Sequence, residues 1–340
     1  MRSRASESSG KALMLLDLGI TSEMLTKDFG KILSLATNDV FNCIWIGEDI
    51  DKPHDIFVQA SYALMKTSLN VGTGIASIYA RNLTNIARAS SCLNEVGNER
   101  FRLGIGVGGH QTLKKMGITA EKPVRTMREA VFLIRRFWRG ETVTFENGTV
   151  FHLNSYSPRY GLGQKIPIYI GVRGPRMLRL AGEIADGVIL SGPTTYLDKA
   201  VKLVHEGARR AGRNTKDINV VVWIPTMLTT GKEDLDRARK VVAFVLADTP
   251  ESVIELSGLS LRTLEDIHEE YSRGGVEFAA NHVTREILED MILCGTAKEL
   301  CDSFLALEKI GANEVVFGPP FGADRESAIT QIARAWRKTR

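Results

Sequence analysis

The feature that most constrains this chain is an alternation. From Ala12 onward, short apolar runs are followed, again and again, by segments of helical period. Strands are predicted at Leu13–Leu18, Val40–Ile46, Leu69–Ile75, Phe101–Val107, Ile166–Val172, Val188–Ser191, Asn219–Met227 and Glu314–Gly318. Amphipathic helices fall between them at Glu23–Ala36, Ile56–Thr67, Val124–Trp138, Tyr196–Arg210 and Thr296–Ile310, and Glu326–Arg337 closes the series. Strands that read as unbroken apolar runs, each followed by a helix, belong to a parallel sheet covered by helices. Eight such units match a closed (β/α)8 TIM barrel; a doubly wound open sheet usually has fewer strands and fits less well. A length of 340 residues with 44% apolar content suffices for one such domain over 11–340, while the polar residues 1–10 read as a disordered tail.

Two stretches exceed a plain repeat. Gly140–Leu153 reads as a small hairpin insertion before strand five, with Val143-Thr144-Phe145 and Val150-Phe151-His152 flanking the two-residue turn Asn147-Gly148. Lys232–Leu293 is a helical insertion between strands seven and eight. Insertions that follow a strand belong to the C-terminal rim, where barrels carry their chemistry.

The most informative unit is Ile166–Leu190, in which an apolar run enters the turn Gly171-Val172-Arg173-Gly174-Pro175 and then a helix. Two glycines admit close approach of backbone N–H groups, and Pro175 suits the first helical position. The helix start adds free donors and the positive end of a dipole, with Arg173 and Arg176 beside it. The segment has the parts of an anion site; a plain strand-to-helix turn is the competing reading.

Strand four ends Gly104-Ile105-Gly106-Val107-Gly108-Gly109, which satisfies GxGxxG. A dinucleotide fingerprint needs a long helix directly after it. Here Gly117 and Pro123 interrupt that helix early. A loop kept clear of side chains so that a flat ligand can lie on it fits better, using Gly106, Gly108 and Gly109. Strand three ends Gly72-Thr73-Gly74-Ile75, a further glycine before a β-branched residue, which a β-bulge would also explain. Asp17 and Glu48-Asp49 read as the ends of strands one and two. A carboxylate at the end of an apolar strand loses solvation, so its pKa rises toward that of a general acid. A helix cap or surface ion pair is the alternative for each.

Other chemistries lack support. A net charge of +4 without a basic stripe gives no nucleic-acid footprint. Cys43, Cys92, Cys294 and Cys301 form no CxxC pair, which points to free thiols in a reducing, cytoplasmic setting and to no metal. No GxSxG elbow or P-loop is present. No apolar run is long enough to span a membrane, and Met1–Gly10 lacks the core of a signal peptide.

Taken together, PIYIGVRGPRMLRLAGEIADGVIL, LGIGVGG with MGITAEKPVRTMREAV, VVAFVLADTPESVIELSGLS and GANEVVFGPPFG resemble the luciferase-like (β/α)8 superfamily. Within it, the chain is similar to coenzyme F420-dependent 5,10-methylenetetrahydromethanopterin reductases, above all through Val241–Ser260. The resemblance implies a deazaflavin with its phosphate at Gly171–Pro175 and the helix start that includes Met177. It also implies a non-proline cis peptide at Gly74–Ile75 beneath the ring. By the same resemblance, the reductases' glutamate at the end of strand one corresponds to Asp17, and their aspartate after strand two to Glu48. Their aspartate after strand four corresponds to Gly109, and their strand-three asparagine to Ser77. The histidine of related F420-dependent dehydrogenases corresponds to Asp49.

The expectation is a reductase using F420 and no metal, acting on a C1-tetrahydropterin, with Asp17 as the proton donor and Glu48 tuning it by proximity. Self-association as a homodimer or homotetramer is implied by the resemblance. An FMN-dependent monooxygenase on the same barrel and a catalytically silent cofactor-binding protein are the alternatives.

Overall fold

The computed structural model describes residues 13–339 apart from 25, 38, 51, 161–162 and 230. The predicted tail over 1–10 lies outside the described residues.

Among the described residues, eight parallel strands form the barrel: β1 (Leu15–Thr21), β2 (Phe41–Gly47), β3 (Asn70–Thr73), β4 (Phe101–Gly106), β5 (Ile168–Val172), β6 (Gly187–Leu190), β7 (Asn219–Val222) and β8 (Glu314–Phe317). The hydrogen-bonded order is β3-β2-β1-β8-β7-β6-β5-β4, and pairing of β3 with β4 closes the ring. All eight predicted strands are therefore present, and the (β/α)8 TIM-barrel reading holds. Alternation sorts each strand's side chains. Leu16, Leu18 and Ile20 of β1 face the surrounding helices, while Cys43, Trp45, Tyr169, Ile189, Val221 and Val316 fill the lumen.

Local chemistry sets the helix starts. Asp55 caps Ile56–Lys66 by accepting from Phe57 and Val58 N–H, and Thr296 forms a capping box with Glu299 ahead of Ala297–Ala306. Pro175 occupies the first position of helix Pro175–Ile184, after Gly174.

Besides shifted element ends, as at β1, three predicted elements differ from the structure. The run Asn219–Met227 is not one strand: β7 stops at Val222, and Thr226–Leu228 pairs with Leu293–Gly295 and Pro320–Phe321 in a separate small parallel sheet. Pro225 between the two pieces has no N–H to donate to a ladder, and its carbonyl accepts from Leu293. The run Leu69–Ile75 ends its barrel pairing at Thr73, and the chain rejoins β4 through Ala76 and Ser77. In the hairpin, Val143–Phe145 pairs with Leu153–Tyr156 instead of residues 150–152. The intervening loop is drawn onto helix Pro123–Trp138, where Thr149 bonds to Glu129 and Arg125 to the Asn147 carbonyl.

The insertion is helical as predicted, with helices Lys232–Ala247, Glu251–Ser257, Leu261–Gly274, Val276–Ala279 and Arg285–Met291. It carries its own apolar core, which includes Val242, Leu246, Ile254, Ile267 and Met291.

Candidate active site

The C-terminal mouth of the barrel is floored by two side chains. The indole of Trp223, directly after β7, spreads across the lumen; a Cβ on Gly19 would lie 2.6 Å from its Cζ2 and one on Gly74 2.6 Å from its Cζ3. Ile75 fills the other side, where a Cβ on Gly106 or Gly171 would approach it to 2.7 Å. The glycines at this level are thus required by the groups that cross the mouth, since a side chain on any of them would collide with Trp223 or Ile75. The Gly74–Ile75 peptide is cis, as the resemblance implied. Gly108 has φ +99°, a conformation that favours glycine, and the Ser77 hydroxyl beside it donates to the Val107 carbonyl at 2.6 Å.

The loop read as an anion site leaves β5 and enters helix Pro175–Ile184 through Arg173 and Gly174. No side chain caps the helix that starts at Pro175. The Arg173 guanidinium is largely buried, and its contacts are long: 3.4 Å to the Asp248 carbonyl and 3.4 Å to Thr249 Oγ1. Burial pulls its pKa below the usual arginine value, opposed by the neighbouring Asp248 charge. Tyr196 donates its hydroxyl to the Arg173 carbonyl, which fixes the loop from below. Ser252 of the insertion places Oγ 3.8 Å from where a Cβ of Gly174 would stand. Val172 and Met177 are buried with the apolar core outside the lumen, so they offer the mouth backbone rather than side chains.

The two expected acids stand elsewhere. β1 runs four residues beyond Asp17, so its end at the mouth is Thr21, paired with Gly47. Asp17 is fully buried inside the barrel, beneath the level of Gly19 that Trp223 covers. Trp45 Nε1 donates to its Oδ2 at 2.8 Å and Asn42 Nδ2 to its Oδ1 at 3.2 Å. Its carboxylate neighbour is Glu314, not Glu48. Glu314 accepts from Arg102 at 2.7 and 2.9 Å and from Asn219. Burial, and then the Glu314 charge, pushes the Asp17 carboxyl well above the usual range. Glu314 moves the other way: although burial opposes it, the hydrogen bond from Asp17 and the Arg102 charge hold it low. Of the two, Asp17 is the carboxyl that favours keeping its proton and Glu314 the one that favours its charge. The predicted rise in pKa is present, but the group lies inside the barrel, below the level of Gly19 and Trp223, and not at the mouth where the sequence reading put it. The misplacement came from ending the strand at the first charge, when Gly19-Ile20-Thr21 continues it.

Glu48 does lie at the end of β2, with its side chain 4% exposed. Arg81 binds it through Nε at 2.7 Å and through Nη2, and its Oε2 accepts the Ser77 N–H at 3.1 Å. Arg81 also bonds Asp55 at 2.7 Å. Glu48 therefore anchors the segment after the cis peptide and does not act on Asp17.

Sequence reasoning missed Trp223, Arg81 and Asp248. Trp223 was detectable in principle: it follows Asn219 and Val221 at the lumen-facing period of β7 and precedes Pro225. Arg81 and Asp248 meet their partners only in three dimensions. Among the described residues, no group of three or more His, Cys, Asp or Glu could hold a metal ion, and no helix is long and apolar enough to cross a membrane.

A closed parallel barrel whose chemistry-bearing rim faces a helical insertion defines the class. The chain belongs to the luciferase-like monooxygenase family, whose profile matches residues 25–314. Among its relatives are the 5,10-methylenetetrahydromethanopterin reductases of Methanolobus tindarius, 32% identical over 88% of this chain and 92% of the relative, and of Archaeoglobus fulgidus, 31% identical over 89% and 92%. The coenzyme F420-dependent tetrahydromethanopterin reductase structure from Methanopyrus kandleri superposes with a TM-score of 0.83 at 26% identity, covering 95% of this chain and 98% of that one. An F420-dependent secondary alcohol dehydrogenase shares the fold, with a TM-score of 0.78 at 18% identity over 96% and 99%. The resemblance read from the sequence is borne out.

Proposed function

We propose that this chain is a coenzyme F420-dependent oxidoreductase that transfers hydride between reduced F420 and a C1-carrying tetrahydropterin of the methylenetetrahydromethanopterin type. The observation that carries this reading is the match to reductase relatives along nearly the whole of both chains. The mouth suits such a cofactor: it pairs a floor of Trp223 and Ile75, packed against glycines, with a weakly engaged arginine at an uncapped helix start. When bound, F420 supplies a hydride-carrying carbon on a planar ring. Ile75 and the Gly74–Ile75 backbone would back that ring, with Gly106 and Gly108 keeping the adjoining wall clear. Gly171–Pro175 and Arg173 would hold the phosphate. Fixing both partners on one rigid rim is how such a site promotes the transfer. Thr21, the last residue of β1 and on the same face of the strand as Asp17, stands at the level where an acid was expected. The same reading carries a cytoplasmic location and self-association as a dimer or tetramer. The free thiols of Cys43, Cys92, Cys294 and Cys301 support the reducing compartment.

Titration with F420 and with FMN, each followed by tryptophan fluorescence, tests the cofactor. F420 is expected to bind at least about tenfold more tightly, a difference near 1.4 kcal/mol. Trp223→Phe is expected to remove most of the fluorescence response. Preference for FMN would reverse the cofactor assignment. Binding of F420 without oxidation of its reduced form by methylenetetrahydromethanopterin would favour the silent homologue.

A further inference from the structure

We propose that Asp248 is a positioning residue for the mouth. Its carboxylate, delivered by the helical insertion, stands where an acid on Gly109 would otherwise reach, and it locks the insertion onto the loop after β4. The proposal rests on the reading of the mouth as a cofactor site.

Gly109 is the N-cap of helix His110–Lys115 and has no side chain with which to cap it. The Gln111 N–H, which an N-cap aspartate would ordinarily bind, is instead bonded at 3.2 Å by Asp248 Oδ1, from 137 residues away. The backbone at Gly109, with φ −66° and ψ 125°, suits any residue. A Cβ built there comes no closer to its surroundings than 3.5 Å, and the nearest atom is Asp248 Oδ2. Glycine is thus demanded neither by conformation nor by backbone crowding. What occupies the room for a larger acid is the Asp248 carboxylate itself.

Asp248 is also badly placed for its own element. It is the C-cap of helix Lys232–Ala247, where a negative charge meets the negative end of the dipole. Its partners lie on the other side. While its carboxylate holds the β4 loop, its carbonyl and the next side chain, Thr249 Oγ1, accept from Arg173 of the β5 loop. One dipeptide of the insertion therefore ties together the two loops that flank the mouth.

A double-mutant cycle on the full chain tests this, with F420 affinity and the thermal unfolding midpoint measured on each variant. Asp248→Ala is expected to weaken F420 binding about tenfold, the scale of one charge-assisted hydrogen bond. Gly109→Asp alone is expected to do similar harm by setting two carboxylates in one place. The double variant is expected to return to within about threefold of the native chain, because the introduced aspartate then caps its own helix. Asp248→Asn keeps an oxygen for Gln111 and should stay close to native. An unchanged affinity in Asp248→Ala, or a double variant whose loss is the product of the two single losses, overturns the proposal. Should the native chain itself fail to bind F420, the cofactor reading falls. The cycle is then decided by the unfolding midpoints, where recovery in the double variant upholds the latch and additivity overturns it.

Discussion

Arg102 and Arg173 are both largely buried, one in the lower lumen of the barrel and one at its mouth, and they are held differently. Arg102 meets the ionised Glu314 at 2.7 and 2.9 Å and stacks over the rings of Trp45 and Tyr169. Asp17, Asn42 and Asn219 complete the network around Glu314. Arg173 has two 3.4 Å contacts to uncharged oxygens. A cation taken from water must be compensated by close, well-aligned acceptors, or it remains available to an anion. Arg102 is a finished structural pair, whereas Arg173 is left with long contacts only, which is what the proposed phosphate role would need.

The sharpest way to break this comparison is to remove the anion from the finished pair. Glu314→Gln leaves Arg102 as an uncompensated charge inside the barrel and is expected to cost about 3–5 kcal/mol of stability. Asp17 can replace the lost charge only in part, since burial opposes its ionisation even with Trp45 and Asn42 donating to its oxygens. Denaturant unfolding reads the loss. A change below about 1 kcal/mol would mean that the network is no more than a surface-like pair.

The reciprocal substitution at the mouth should leave the fold alone. Arg173→Met keeps the packing of the stem and removes only a charge with weak partners, so the unfolding midpoint is expected to stay close to native. F420 affinity is expected to fall about 10- to 100-fold, the worth of hydrogen bonds to a charged group at about 1.5–3 kcal/mol. Destabilisation with unchanged affinity would make Arg173 a second Arg102 and remove the anion site.

This contrast also marks how far the residues alone could be read. The alternation that defines the barrel, the glycines of the mouth and the Gly171–Pro175 turn are local patterns, because each depends on neighbours in the chain, and all are found where they were expected. The lumen is not local. Asp17, Arg102 and Glu314 come from three strands, and only closure of the barrel brings their side chains together in the lumen. A lone Asp17 at the end of an apolar run therefore looked like a rim acid. Asp248 was hidden for the same reason, since its partner Gln111 is supplied by the opposite wall. What alternation could have revealed was the depth of Asp17: Gly19 and Thr21 follow it on the same face of β1 and carry the strand on to the mouth.

The smallest expected effect separates the two regions by pH. Asp17 has its folded-state pKa raised, so the folded protein retains a proton that the unfolded chain has released. The stability it contributes is complete below the ordinary aspartate value and is lost as pH rises toward the folded pKa, with a slope of at most about 1.4 kcal/mol per pH unit. Glu314, held low, has the opposite sign, and its contribution disappears only as pH falls through its folded value. Asp17, held above the ordinary carboxylate range by burial and the Glu314 charge, is thus the lumen carboxyl whose proton makes stability fall as pH rises. Asp17→Asn keeps a donor for Glu314 and an acceptor for Trp45 without a titrating proton. Thermal unfolding followed from mildly acidic to mildly alkaline pH should show stability declining in the native chain and a flatter profile in the variant. Cofactor affinity should stay the same in both, because the lumen network does not reach the mouth. If Asp17→Asn instead abolishes turnover while the pH profile of unfolding is unchanged, the wall formed by Trp223 is not closed and Asp17 takes part in the chemistry.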